Sequence, residues 1–156
     1  KVTTGADSPR EKAKRVAKAK EQLYIHGRLG LLIDGTGDDY DKIKKRVVEL
    51  RKLGYDCYMI FVNTSLEIAL ERNAGRDRVL PEKLVTSIWK SVQKNIGKFQ
   101  GLFRGNMIVV DNSDTVVIKS GVPTFGRIVN RMIKQFVGKP IKSKIAKDWM
   151  KSQRGK

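Results

Sequence analysis

The sequence contains only one cysteine, Cys57, so it cannot form an internal disulfide or a metal site built from several cysteines. It has no apolar run of the roughly 18 to 20 residues that a membrane-spanning helix needs, and its first residues lack the apolar centre of a signal peptide. These absences lead us to expect a soluble, cytoplasmic protein without a membrane partner. With 156 residues, 40% of them hydrophobic, the chain is long enough to bury one ordinary core.

Acidic residues are scarce, at 16 against 33 Lys and Arg, and the formal net charge is +17. The imbalance is largest at the C-terminus: residues 119–156 hold 11 basic residues and 1 acidic residue, whereas residues 29–118 hold 14 and 12. A basic segment of this kind attracts polyanions such as nucleic acid. It can equally be a solvated tail that only confers solubility, and charge alone leaves both interpretations open.

Helical periodicity alternates with short apolar runs along the chain, and this alternation predicts an α/β fold with a mostly parallel sheet flanked by helices. The apolar runs "LGLLI", "CYMIFV" and "MIVVD" predict strands at 29–33, 57–62 and 107–111, and "TVVI" predicts an edge strand at 115–118. Helices are predicted after a Ser8 capping box, from Tyr40 to Gly54, after a Thr64 capping box, from Pro81 onward, at 123–138 and, as a short amphipathic helix, within 141–156.

Polar residues follow the predicted strands at the ends where ligands bind in parallel sheets: Asp34, Asn63 and Asp111. The stretch "DGTGDDYD", which we call the acidic loop (residues 34–41), follows the first of these strands. An aspartate in this position suits Mg²⁺, and the glycines after it let backbone approach a phosphate. The same pattern is also typical of an aspartate that caps a turn, and spacing alone does not decide between the two.

A second candidate element is "ERNAGRDRVLP", which we call the arginine loop (residues 71–81). It brings together Arg72, Arg76 and Arg78, and guanidinium groups are natural partners of phosphate oxygens. A loop of this kind can close over a triphosphate and neutralise its charge. The alternative is an exposed turn whose arginines pair with neighbouring acidic side chains.

One part of a phosphoryl-transfer site is missing from the sequence. The phosphate-cradling motif G-x-x-x-x-G-K-[ST] occurs nowhere in it, since Gly97-Lys98 is followed by Phe99 and Gly138-Lys139 by Pro140. Without such a loop and its lysine, the β- and γ-phosphates of ATP have no cradle.

The order of these motifs nevertheless resembles a known family. The stretch from "LLIDGTG" through "GYDCYMIFVNTSLEIALERN" and "AGRDRVLPEKLVTSIW" is similar to the second half of P-loop kinases of the zeta-toxin and polynucleotide-kinase-like group, which includes phage-encoded members. The resemblance covers about residues 8 to 113, and its most specific part is "RNAGRDRVLPEKLV".

The resemblance implies an incomplete P-loop NTPase-like domain over residues 1–138 and a basic tail over 139–156, with the P-loop expected before residue 1. It implies ATP and Mg²⁺ as cofactors and, as acceptor, a nucleic-acid end, a nucleotide or a small-molecule hydroxyl. The implied site residues are Asp34, Arg72 and Arg76 for catalysis, Asp34 for Mg²⁺, Gly35 and Thr36 for the substrate, and Arg76, Arg78, Asn112 and Ser113 for ATP.

Two other functions stay open beside a kinase. The chain can be a non-catalytic nucleic-acid-binding module that works through its basic ends, or a viral structural protein on a degenerate kinase fold. If the first strand of the sheet is missing, the exposed strand edge also predicts oligomerisation. For a phage-encoded member, the expected location is the host cytoplasm.

Overall fold

The computed structural model describes residues 8–113, 126 and 130–154, and divides the chain into two compact units, Lys1–Gly35 and Thr36–Lys156. The first unit contains helix α1 (Pro9–His26). Its start was predicted correctly: the Ser8 side chain accepts a hydrogen bond from the Glu11 N–H at 3.3 Å, and a proline occupies the first helical position.

No helix within the described ranges is long and apolar enough to cross a membrane.

Residues 29–33 do not form the predicted buried strand. Leu32 is 96% exposed and Leu29 is 53% exposed. A strand is stabilised by hydrogen bonds to a neighbouring strand, and the described part of the first unit contains only α1 and this extended segment. The prediction was wrong because an apolar run indicates which residues can be buried, but it does not supply the partner that covers them.

The second unit contains a small parallel sheet of two described strands, β1 (Met59–Asn63) and β2 (Met107–Asp111). The strands pair in a register that sets Phe61 opposite Val109 and Asn63 opposite Asp111. The fold is therefore mixed and helix-rich around a parallel pair, as an α/β protein requires. The predicted edge strand at 115–118 and most of the predicted helix at 123–138 lie outside the described residues.

Helices make up most of the second unit: α2 (Tyr40–Lys52), α3 (Leu66–Ala74), α4 (Glu82–Phe103) and α5 (Lys144–Arg154). A 3₁₀ turn (Arg104–Asn106) connects α4 to β2, and a π-helical turn (Ile133–Val137) precedes α5. The predicted cap of α3 needs a correction of one residue. Ser65 is the N-cap and accepts the Ile68 N–H at 3.3 Å, whereas the Thr64 hydroxyl donates to the Asn112 carbonyl at 3.3 Å.

The core lies between α4, α2 and the sheet. Phe99 of α4 is fully buried, and its ring centroid lies 5.4 Å from that of Tyr40 and 6.3 Å from that of Phe61. Phe103 and Val47 complete the buried cluster. Each of these side chains stabilises the fold by roughly 1.5 to 3 kcal/mol through burial, so α4 is the element that holds the unit together.

The C-terminal helix α5 packs against the turn that follows α2. Gly54 in that turn has φ +96°, and a Cβ atom on it would lie 2.9 Å from the backbone N of Ala146. Ala146, Trp149 and Met150 are half-buried on the inward side of α5. The basic tail predicted at 139–156 thus contains a helix that packs on the rest of the second unit.

Candidate functional site

The arginine loop joins the C-terminal end of α3 to the start of α4. Arg72 lies in the last turn of α3. Arg76 and Arg78 follow Gly75, the C-cap residue of that helix. Pro81 is the N-cap residue of α4, which begins at Glu82. The three arginine side chains are all exposed.

A buried amide fastens the two ends of this loop. Asn73 is 5% exposed, and its side chain donates to the Leu80 carbonyl at 2.8 Å and accepts the Leu80 N–H at 3.0 Å. The two hydrogen bonds close residues 74–79 into a compact loop without any strand pairing. Because the backbone at both ends is fixed, Arg76 and Arg78 lie on a closed loop that is anchored to the unit, and Arg72 lies just before it in α3.

The guanidinium groups of Arg72, Arg76 and Arg78 form no ion pair or hydrogen bond with any residue that the structure describes. The alternative in which Glu71, Asp77 and Glu82 neutralise these arginines is therefore not what the structure shows. An unpaired cluster of cations on a closed loop is suited to an anion with several oxygens, such as a phosphate chain.

The part of the acidic loop that belongs to the second unit is held on α4. Asn95, which is 6% exposed, donates to the carbonyl of Gly37 at 3.1 Å and to that of Asp38 at 2.8 Å. Gly37 has φ +78°, a backbone angle that favours glycine, and a Cβ atom there would make ordinary van der Waals contacts with the rings of Phe61 and Phe99. Thr36 donates its hydroxyl hydrogen to Asp38.

The remaining carboxylates of the acidic loop start the next helix. Asp39 is the N-cap of α2 and accepts the Lys42 N–H at 3.0 Å, and Asp41 lies in the first turn. Asp34 and Gly35 belong to the first unit and are exposed. Asp39 and Asp41 therefore serve the start of α2, whereas Asp34 takes no part in capping that helix.

Both strands end in a connected polar cluster. Asn63 and Asp111 are paired in the sheet, and the Asn63 side chain accepts a hydrogen bond from Gln93 of α4 at 2.7 Å. Trp89 of α4 donates to the Thr64 carbonyl at 2.8 Å. Sequence reasoning placed Asn63 and Asp111 at one edge of the sheet, and the register confirms that placement.

The residues after β2 also take part in this cluster. The Asn112 N–H donates to the Asn63 carbonyl at 2.7 Å, and the Ser113 hydroxyl accepts the Ser65 N–H at 3.0 Å. The Ser113 side chain and its backbone N–H, which lies 2.9 Å from Asp111 Oδ1, hydrogen-bond the Asp111 carboxylate and lower its pKa. Asp111 is therefore ionised across the neutral range and adds negative charge to the strand ends.

Cys57 has no place in a reactive site. Burial raises the pKa of its thiol, against the smaller opposing effect of Arg51, so the protonated thiol predominates at neutral pH. The side chain packs against the aromatic core, as its apolar surroundings in the sequence suggest.

The Mg²⁺ expected from the resemblance fits the acidic residues of this site in one binding mode. Within the described ranges, no group of three or more His, Cys, Asp or Glu side chains could hold a metal ion. Mg²⁺ does not require such a cage, since it commonly takes one or two carboxylates together with phosphate oxygens. Asp34, exposed after an extended segment, is compatible with that mode.

The predicted site residues of the second unit lie in three places: the arginines on their loop, Asn112 and Ser113 at the strand ends, and Thr36 on the acidic loop; Asp34 and Gly35 belong to the first unit. Sequence reasoning missed Asn73 and Asn95. Both are buried amides whose hydrogen bonds hold these loops. The only signal available was polarity at a helix position expected to face inward, as with Asn95 between Val92 and Phe99.

Comparison with known proteins gives one family match. The model of the family described as Zeta toxin matches residues 2–122, which include the acidic loop, the arginine loop, α4 and β2. Searches of curated proteins and of solved structures returned no match. The family match suggests a P-loop kinase-like function that uses ATP. Since the match covers well over half of the chain, this protein belongs to the zeta toxin family.

Proposed function

We propose that this chain provides the phosphate clamp and the acceptor side of an ATP-dependent phosphotransferase. The observation that carries the proposal is the arginine loop, which is closed by buried Asn73 and carries exposed guanidinium groups that have no partner among the described residues. Arginines held in this way bind phosphate oxygens without first having to break an internal ion pair. They would neutralise charge on the phosphoryl group as it is transferred.

The other predicted residues complete the assignment. Arg76 and Arg78 bind the phosphates of ATP, and Arg72 and Arg76 stabilise the transferred group. Asp34 would hold Mg²⁺, which when bound to phosphate oxygens withdraws charge from them. Gly35 and Thr36 contact the acceptor, and Asn112 and Ser113 lie beside the adenine. The Ser113 hydroxyl already accepts the Ser65 N–H, so it is held in one place at the end of β2.

Phosphoryl transfer also needs a phosphate-cradling loop, and the 156 residues contain none. We therefore expect these residues to clamp a phosphate chain weakly and not to catalyse transfer on their own. Micromolar binding of ATP to the 156-residue chain, measured by calorimetry, would refute this part of the proposal.

The clamp is tested by replacing one arginine. We expect Arg76→Gln to weaken binding of inorganic triphosphate about tenfold to a hundredfold, because it removes a charge-assisted hydrogen bond worth roughly 1.5 to 3 kcal/mol. Arg104→Gln is the matched control: Arg104 is exposed in the same unit, and its side chain has no partner among the described residues. Equal affinities of the two variants, measured by titration calorimetry, would remove the arginine loop from the function.

A second function is favoured by α5. Its apolar side, with Ala146, Trp149 and Met150, is half-buried against the unit, while four basic side chains lie on another side. These are Lys144, Lys147, Lys151 and Arg154. We infer that this helix attracts a nucleic acid, either as the acceptor of a kinase or as the ligand of a non-catalytic binding protein. In the latter case, binding survives Asp34→Ala and Arg76→Ala.

A further inference from the structure

The outer side of α4 carries a row of basic residues that neither the fold nor the proposed clamp uses. Seven exposed residues fall within an arc of about 100° around the helix axis, given a turn of about 100° per residue. We call this surface the lysine face; it consists of Lys83, Ser87, Lys90, Lys94, Gly97, Lys98 and Gly101. It contains no acidic residue and no large apolar residue, whereas ordinary exposed helices mix both signs of charge.

The lysines repel one another along the helix. Lys90, Lys94 and Lys98 follow at intervals of four residues, and like charges at that spacing destabilise a helix. None of them forms an ion pair with a residue in the described part of the chain. Lys98 Nζ lies 5.4 Å from the centroid of the Tyr40 ring, a cation–π contact that brings no negative formal charge to the lysine. An anion with regularly spaced charges would relieve this repulsion.

Two glycines in the same face point to close approach by a ligand. Gly97 and Gly101 lie inside α4, where glycine lowers helix stability relative to alanine. Apart from the adjacent backbone of α4 itself, a Cβ atom on either of them would meet no described atom within 4 Å, so packing within the described fold does not require them. They lower the surface beside Lys94 and Lys98, and a ligand backbone can therefore approach the helix closely.

The lysine face is a rigid support. The opposite side of α4 carries the buried Asn95, Phe99 and Phe103, which fix the helix on the core. Lys83 and Lys98 are 15 residues apart, which places them about 22 Å from each other along the axis at about 1.5 Å per residue. Near the N-terminal end of α4, a shallow depression is lined by Glu82, Lys83, Thr86, Ser87 and Lys90.

We propose that the lysine face binds the sugar–phosphate backbone of a nucleic acid without reading its bases. A row of cations separated by about 6 Å, the length of four helical residues, suits repeating phosphates. A membrane surface fits less well, because helices that lie in a membrane insert large apolar side chains and this face has none. The proposal does not depend on phosphoryl transfer, since binding requires neither ATP nor the arginine loop.

The test measures binding of the full chain to fluorescein-labelled single-stranded DNA and RNA by anisotropy, over a series of salt concentrations and without ATP. We expect Lys90→Gln combined with Lys94→Gln to weaken binding about fivefold to tenfold at low salt. The slope of log affinity against log salt should fall by about 1.4, since two phosphate contacts are lost. Removing like charges from a helix does not destabilise it, so the variant should unfold at the parent temperature or above.

The matched control is Lys45→Gln combined with Lys52→Gln on α2, which removes the same charge from an exposed side that also carries Glu49. Oligonucleotide affinity should change less than twofold in this control. The proposal is overturned if the α4 and α2 variants lose affinity equally, if neither loses any, or if the parent chain binds phosphatidylserine vesicles but not the oligonucleotides.

Discussion

Asn73 closes the arginine loop through two side-chain hydrogen bonds to the Leu80 backbone. Its amide satisfies both the N–H and the C=O of Leu80 while itself being 5% exposed. Buried polar groups of this kind are costly to leave unpaired, so the two residues depend on each other. The arginines on the loop have the opposite character, because they are exposed and pair with no residue in the part of the chain that the structure describes. Asn73 therefore anchors a loop whose arginine side chains are exposed to anions in solution.

Replacing the anchor should damage both the fold and the clamp. We expect Asn73→Ala to lower the free energy of unfolding by about 1 to 3 kcal/mol, because the backbone groups of Leu80 lose their partners. Urea denaturation measures the change. Asn112→Ala is the control, since no hydrogen bond joins its side chain to a described residue, and we expect a change within about 0.5 kcal/mol. Similar losses in both variants would contradict the role assigned to Asn73.

At the scale of elements, two glycines in the second unit should behave in opposite ways. Gly54→Ala places a side chain at φ +96° and 2.9 Å from the Ala146 backbone N, so we expect a loss of about 1 to 2 kcal/mol or more and detachment of α5. Gly97→Ala meets open space and should add about 0.5 to 1 kcal/mol through helix propensity.

Thermal unfolding measures both glycine variants, and limited proteolysis reports whether α5 has detached. A stable Gly54→Ala variant with a protected C-terminal helix would show that the contact between the turn after α2 and α5 is unimportant.

The segment at 29–33 provides a direct comparison between sequence and structure. Because Leu32 is 96% exposed, Leu32→Ala should change the free energy of unfolding by less than about 0.5 kcal/mol. Ile108 of β2, which is 6% exposed, is the reference, and Ile108→Ala should cost about 2 to 5 kcal/mol. If chemical denaturation gave similar losses for both, Leu32 would be buried and the predicted strand would be real.

Local patterns predicted some elements better than others. The length of α4 follows from apolar residues at spacings of three and four, and β2 follows from a continuous apolar run; both agree with the structure. The strand at 29–33 failed because pairing depends on a distant partner. Asn73 and Asn95 were missed for a related reason, since a sequence shows that an amide is present but not which backbone groups it will meet.

At the scale of the whole molecule, acidic and basic side chains are unevenly distributed among the loops and helices. The acidic loop caps α2 and leaves Asp34 exposed, the arginines of the arginine loop form no ion pair with a described residue, and the outer side of α4 and that of α5 are basic. This arrangement is the basis for the anion-binding surfaces that we propose. The sequence predicted the excess charge, but only the fold shows which side of each helix carries it.

The central claim is that the arginine loop clamps the phosphates of a nucleotide, and NMR titration of the isotope-labelled chain with Mg²⁺-ATP and with inorganic triphosphate tests it most directly. We predict that both ligands shift the resonances of residues 72–80 with dissociation constants of about 1 mM or weaker, and that ATP also shifts Asn112 and Ser113. Shifts that leave 72–80 unmoved, or an affinity in the micromolar range, would contradict the account.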